Sequence, residues 1–176
     1  MFRWMVLVLC WPLLALADNN WQQVVDDLED DIQVYVRTIP GSDLKAFKGT
    51  TRVKSRLTAA VALLEDYSVA PQWMYNCKAI DVIERQSSTQ LLSYMVSDAP
   101  WPVSERDVVV ESQLLQSGDG TVTIKLQSRD DVFPVSEGLV RMSALSGYWR
   151  FTPQPDGWLA VEYQLHAEPG GSLPSW

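Results

Sequence analysis

Apolar and polar residues alternate strictly along much of the chain. From Ile32, the apolar positions Ile32, Val34 and Val36 fall on one side and Gln33, Tyr35 and Arg37 on the other. A period of two marks a strand with two unlike faces. Pro40-Gly41-Ser42-Asp43 then turns the chain into a second strand over residues 44–54, an opening hairpin. Ahead of it, Trp21, Val24, Val25 and Leu28 recur at helical spacing and predict a short amphipathic helix. Behind it, Leu57, Val61 and Leu64 share a helical face, Ala59, Ala60 and Ala62 favour helix, and Ser55 stands where a cap is needed. That helix is expected to end near Glu65-Asp66, with a second short helical piece before Pro71.

The remainder reads as strand. Segments 78–86 and 89–97 flank Ser87-Ser88, segments 107–115 and 121–128 flank Ser117-Gly118-Asp119-Gly120, and segments 139–152 and 158–167 flank Pro153-Gln154-Pro155-Asp156-Gly157. Val122, Ile124 and Leu126 alternate with Thr121, Thr123 and Lys125, which predicts one buried and one wet face. The order of helix, two strands, one or two helices and about six strands is of α+β type. With 176 residues and no internal repeat or low-complexity linker, one domain suffices: a curved, mainly antiparallel sheet with helices on one side.

The first residues do not belong to that pattern. Arg3 supplies a positive start, Trp4 to Leu16 is almost unbroken apolar sequence, and Ala15-Leu16-Ala17 offers small residues at the cleavage positions. Residues 1–17 are therefore expected to be a secretory signal peptide cut after Ala17. The apolar run falls short of the roughly 18 residues that a spanning helix needs. Cys10 follows Leu9 rather than a small residue, which argues against lipidation. The expected location is outside the cytoplasm, periplasmic or secreted.

Removing Arg3 with the leader moves the formal charge from -8 to -9. Such a chain repels nucleic acid and anionic headgroups, so membrane contact, if transient contact is made, must be apolar or local. Cys77 becomes the sole cysteine of the mature domain, which excludes an internal disulfide. It reads as a small buried hydrophobe rather than a nucleophile, because His166 is distant in sequence. The acidic cluster Asp26, Asp27, Glu29, Asp30 and Asp31 lacks the spacing of a calcium loop and reads as a solvated face. There is no H-E-x-x-H, G-x-S-x-G, phosphate-binding glycine loop or cysteine pair for zinc. No metal or organic cofactor and no catalytic residue is assigned, although His166 beside Glu168 offers an acid–base pair.

Eight tryptophans and six tyrosines supply large rings with polar tips. Tyr94, Ser112, Met142, Ser143 and Tyr163 lie in predicted strands, where each packs in a core or faces a ligand cavity. In A-P-W-P-V-S-E-R-D-V-V-V, Ala99 to Val110, the two prolines stiffen the approach to a strand and Trp101 is expected to act as a packing wedge. Arg106 and Asp107 are adjacent, so a strand points them to opposite faces and ties them to separate neighbours. Arg106 stays a candidate tunnel residue.

These motifs, taken in order, resemble START domains, the steroidogenic acute regulatory protein-related lipid-transfer domains. P-W-P-V-S-E-R-D-V-V-V from Pro100 is joined by I-Q-V-Y-V-R-T-I-P-G-S-D-L-K-A-F-K-G-T from Ile32, L-L-E-D from Leu63 and Trp73. G-L-V-R-M from Gly138, G-Y-W-R-F-T-P from Gly147, V-E-Y from Val161 and the final E-P-G-G-S-L-P-S-W complete the set. The resemblance covers nearly all of the chain from residue 18 to 176. It implies a helix-grip fold, in which a curved antiparallel sheet and helices enclose a hydrophobic tunnel. The tunnel would bind one sterol, phospholipid or sphingolipid noncovalently and transfer it, with no cofactor. In the family the G-G-x-x-P-x-W segment leads into a long closing helix. The sequence stops at Trp176, so that C-terminal helix is expected to be missing and the tunnel to be an open groove. Two other functions stay open: a helix-grip enzyme of the polyketide cyclase or aromatase type, with Arg106, Asp107, Tyr163 and His166 as its polar groups, and an envelope interaction protein without a tunnel.

Overall fold

A computed structural model describes residues 20–171. The expected leader and the last five residues lie outside that range. Ten strands and one α-helix appear in chain order: β1 (Gln22–Asp27), β2 (Ile32–Thr38), β3 (Lys45–Lys54), α1 (Leu57–Glu65), β4 (Cys77–Arg85), β5 (Gln90–Ser97), β6 (Arg106–Gln116), β7 (Val122–Ser128), β8 (Val140–Arg141), β9 (Ala144–Pro153) and β10 (Trp158–Glu168). Short 3-10 turns at Ala70–Gln72 and Pro155–Gly157 complete the set. This is the α+β, curved-sheet architecture expected of a helix-grip fold. α1 is the one α-helix among the described residues.

The sheet order is β1-β2-β3-β10-β9-β7-β6-β5-β4, with β8 paired in parallel to β6. Its logic is a local hairpin at each end of the chain joined by a long-range pairing, since β10 lies antiparallel to β3 with Tyr163 opposite Gly49. Five strands then separate β3 from β4. The connection between these two must cross a face of the sheet, and α1 with the Ala70–Gln72 turn makes that crossing. Leu57, Ala60, Val61 and Leu64 pack against Val122, Ile124, Phe151 and Leu159. A second cluster of Val108, Val110 and Leu145, joined by Met95, Met142 and Leu165, lies farther along the same face. At Gly147, between these clusters, a Cβ would stand 2.1 Å from the Gln164 carbonyl oxygen, so only glycine lets β9 and β10 approach there.

Several elements depart from the sequence reading. Residues 22–27 form β1 instead of a helix, paired to β2 across a register shift between Gln23 and Val25. The presumed apolar helical face has nothing to pack on: Val24 and Val25 are exposed, and Leu28 is 82% exposed. Backbone pairing to the edge of β2 outweighs an eight-residue stretch of helical periodicity, because an isolated short helix is unstable without burial. Arg56, not Ser55, occupies the helix N-cap and makes no side-chain cap bond. The Ser55 hydroxyl instead donates to the Arg56 carbonyl at 3.4 Å. The single strand expected over 139–152 is broken at Met142 and Ser143, because β8 pairs with β6 whereas β9 pairs with β7 and β10. Trp101 is not a wedge: it is 92% exposed.

Candidate functional site

Because neighbouring strand residues face opposite ways, the helix-covered face is composed of alternate positions from six strands, with Ile80 supplied by β4. β5 contributes Leu91, Ser93, Met95 and Ser97; β6 contributes Val110, Ser112 and Leu114; β7 contributes Ile124 and Leu126; β9 contributes Leu145 and Trp149; β10 contributes Tyr163 and Leu165. α1 covers only part of this surface. Between the sheet and the segment from Leu64 to Tyr75 remains a cavity of about 290 Å³, near the lower bound of small-ligand pockets. Its interior is largely apolar, and the two charged lining residues, Glu65 and Arg85, stand where α1 ends and where β4 turns toward β5.

Polarity inside is carried by hydroxyls. Ser93 is 2% exposed and donates to the Val110 carbonyl at 3.4 Å. Burial pushes the Tyr67 hydroxyl above its ordinary pKa, with a hydrogen bond to Ser112 opposing it. Tyr163 stacks on Trp149 at 4.0 Å between ring centroids, meets Phe47 edge-on at 5.2 Å, and burial pushes its pKa up to about 12. No described residue hydrogen-bonds its hydroxyl, and Tyr163 lines the cavity. Trp73 meets Trp149 edge-on at 6.4 Å.

Of the six residues singled out from the sequence, Ser112, Met142 and Tyr163 line the cavity. The structure places the other three elsewhere. Tyr94 follows Ser93 in β5 and therefore faces the opposite side, where its hydroxyl bonds Asp107 Oδ2 at 3.0 Å and Ser136 Oγ at 2.7 Å. Its ring packs on Phe133, so segment 129–139 covers this second face. Ser143 is exposed at the break between β8 and β9. Arg106 shares a strand face with Val110 and Ser112 but stands beyond Val108, outside the lining. It is buried, donates from Nη1 to the Ser104 carbonyl, and has no partner for Nε. Arg106 and Asp107 make no bond to each other, and Asp107 is held by Arg141 and Tyr94.

Other polar groups are equally dispersed. His166 Nε2 lies 3.3 Å from Glu168 Oε1 and 3.2 Å from Ser42 Oγ, on the face turned away from Tyr163 and Leu165. Cys77 is buried, its thiol pKa raised by that burial. It sits on β4, five strand spacings from β10, roughly 24 Å. No thiol–imidazole pair forms. Sequence reasoning missed Ser93, Tyr67 and Trp149. Ser93 and Trp149 carry a signal, since they share strand faces with Met95 and Leu145, whereas Tyr67 comes from an irregular segment without periodicity.

A single apolar cavity wall drawn from six strands, with scattered hydroxyls, defines a protein built to hold a hydrophobic ligand. The START domain model matches residues 12–176, and the chain belongs to the START domain family. A protein of Pseudomonas aeruginosa, described as uncharacterized, is 35% identical over 162 residues, covering 92% of this chain and 78% of that one. The crystal structure of the STAR-related lipid transfer protein from Xanthomonas axonopodis, a fragment, is 37% identical with a TM-score of 0.80, over 89% of this chain and 86% of that one. Human StAR-related lipid transfer protein 5 shares the fold at 18% identity, with a TM-score of 0.77 over 88% of this chain and 75% of that one.

Proposed function

We propose that this protein binds one lipid molecule noncovalently in the cavity and carries it between membranes outside the cytoplasm, after removal of residues 1–17. The observation that carries this reading is the lining itself: valine, leucine, isoleucine and methionine from alternate sheet positions facing an unfilled space, in a chain of the START family. The name of the Xanthomonas relative, a lipid transfer protein, supports the same class of ligand. Burying acyl or ring carbons stabilises the complex by ~0.8 kcal/mol per CH₂. Ten such groups yield on the order of 8 kcal/mol, equivalent to micromolar affinity before ordering costs. The Tyr163 hydroxyl, without a hydrogen-bond partner among the described residues, takes the polar group of the ligand. Sterols, phospholipids and sphingolipids each combine such a group with enough apolar surface. The reaction is binding and release, without a cofactor.

The test is native mass spectrometry and lipid extraction of purified protein, followed by titration with each lipid class. Saturable one-to-one uptake is expected, and Ser112→Phe, which grows into the space, should abolish it while leaving the melting temperature near that of the parent. Absence of saturable uptake for every class would overturn the reading.

A further inference from the structure

The charged groups of the cavity lining stand at one end. Glu65 closes α1 and Arg85 closes β4, where the chain turns into β5. Ser112 lies opposite Leu91, and the Leu114 amide donates to the Thr89 carbonyl at 2.8 Å, so β6 meets the same end. Four residues along β5 from Leu91, Met95 lies opposite Val108 and joins Met142 and Leu145 in an apolar cluster. The cavity is therefore amphipathic along its strands, charged at one end and apolar at the other. Arg85 pairs with Leu91, a lining residue, and shares its face, whereas Glu84 pairs with Leu92 and points away.

The two charges are opposite in sign and unspent. No described residue forms an ion pair or hydrogen bond with either side chain. Both act on the Tyr67 hydroxyl, Glu65 raising its pKa and Arg85 lowering it, and that hydroxyl is bonded to Ser112. A ligand that satisfies both carries an anion and a cation. Arginine forks onto phosphate oxygens, and a carboxylate accepts from a primary ammonium. A sterol uses neither charge, and a fatty acid or an anionic headgroup leaves Glu65 facing a like charge.

Dimension sets the remainder. From Leu91 to Met95 the strand rises about 13 Å, close to the ~15 Å hydrocarbon depth of one bilayer leaflet. An apolar cavity of about 150 Å³ takes one benzene ring. The cavity of about 290 Å³ here therefore takes roughly twelve carbons, one acyl chain and not two. We infer that the cavity holds a single-chain zwitterionic lipid of the lysophosphatidylethanolamine type, with its phosphate on Arg85, its ammonium on Glu65 and its acyl chain running toward Met95. The glycerol oxygens, between head and chain, fall beside the Tyr67 and Ser112 hydroxyls. The inference rests on the lipid-binding reading and narrows it.

The experiment is native mass spectrometry of the purified, delipidated protein equilibrated with an equimolar mixture of lauroyl lysophosphatidylethanolamine, lauroyl lysophosphatidylglycerol, monolauroylglycerol, lauric acid, dilauroyl phosphatidylethanolamine and cholesterol. Lysophosphatidylethanolamine is expected to occupy the protein one-to-one, about tenfold ahead of each competitor. Arg85→Gln should lower its occupancy about tenfold relative to monolauroylglycerol, which shares the chain and glycerol but has no charge. Glu65→Lys should invert the order of the two lysolipids in favour of lysophosphatidylglycerol. Glu84→Gln, on the other face of β4, should leave every ratio as in the parent. Glu65 and Arg85 are both exposed, so these substitutions leave the fold intact. Preference for the diacyl lipid or cholesterol, a ratio unmoved by Arg85→Gln, or an order unchanged by Glu65→Lys would each overturn the inference and leave the lipid-binding reading standing. Uptake of no lipid at all would overturn both.

Discussion

Arg141 grips Asp107 from both ends of its carboxylate, with Nε donating to Oδ1 at 2.9 Å and Nη2 to Oδ2 at 3.0 Å. Arg141 Nη1 and Nη2 also donate to the carbonyls of Phe133 and Pro134, both at 3.1 Å. One buried ion pair thus ties β6 to β8 and holds segment 129–139 against the second face of the sheet. Removing one partner leaves a buried charge without compensation, which costs about 3–5 kcal/mol. Arg141→Met should therefore lower the unfolding free energy by about that amount in urea titrations. A loss below ~1 kcal/mol would show that water reaches Asp107.

The same pair sets a pH dependence. Burial raises the Asp107 pKa, but the Arg141 and Tyr94 hydrogen bonds more than offset this and hold it below the ordinary carboxylate value. The folded state therefore favours the ionised form. Its stabilising effect is fully present above the unfolded pKa of about 4 and is lost as pH falls through the folded value. Acid unfolding should begin below about pH 4, and Asp107→Asn should flatten that limb of a melting-temperature profile while lowering stability at neutral pH.

At the alkaline end the sign reverses for the tyrosines. Burial pushes Tyr163 to about 12, and burial together with the Glu162 hydrogen bond does the same for Tyr148. Both favour the neutral form in the folded state, so their contribution is present below the unfolded pKa of about 10 and is lost as pH rises through about 12. Ultraviolet titration of the folded protein should show one fewer late-ionising phenol in Tyr163→Phe.

Tyr163→Phe also isolates the hydroxyl in ligand binding. The ring keeps its stacking on Trp149, so the fold is unaffected, while one hydrogen bond worth about 0.5–1.5 kcal/mol is removed from the ligand. A loss of roughly two- to twelvefold in affinity is expected by lipid titration. An unchanged dissociation constant would assign the polar group of the ligand to another part of the lining.

Gly147 offers a purely steric test. Alanine there brings Cβ against the Gln164 carbonyl and the Leu165 side chain, and overpacking of this kind costs about 1–3 kcal/mol. Gly147→Ala should unfold at lower urea without changing the denaturant slope, and a parent-like midpoint would mean that β9 and β10 separate easily.

Alternation along the chain was sufficient to identify β2, β3 and the hairpins β4–β5, β6–β7 and β9–β10, because a strand writes its two faces into successive residues, but it did not show the break that sets β8 apart from β9. It also separated Arg106 from Asp107, whose opposite directions the structure shows. The motif order pointed to the START family over nearly the whole chain. What alternation leaves undetermined is which face is which. Tyr94 and Ser93 are equally good strand residues, and only the crossing of α1 between β3 and β4 decides that Ser93 meets the cavity and Tyr94 the opposite layer. Likewise Trp21 to Leu28 carries a helical period that edge pairing to β2 overrides, and Trp101 carries a core residue's chemistry in a loop that no element covers. The partners of Asp107, the stacking of Tyr163 on Trp149 and the lining of the cavity all join positions distant in sequence. Local pattern records the side on which a residue stands, while the contacts that give that side a function form only when the strands assemble.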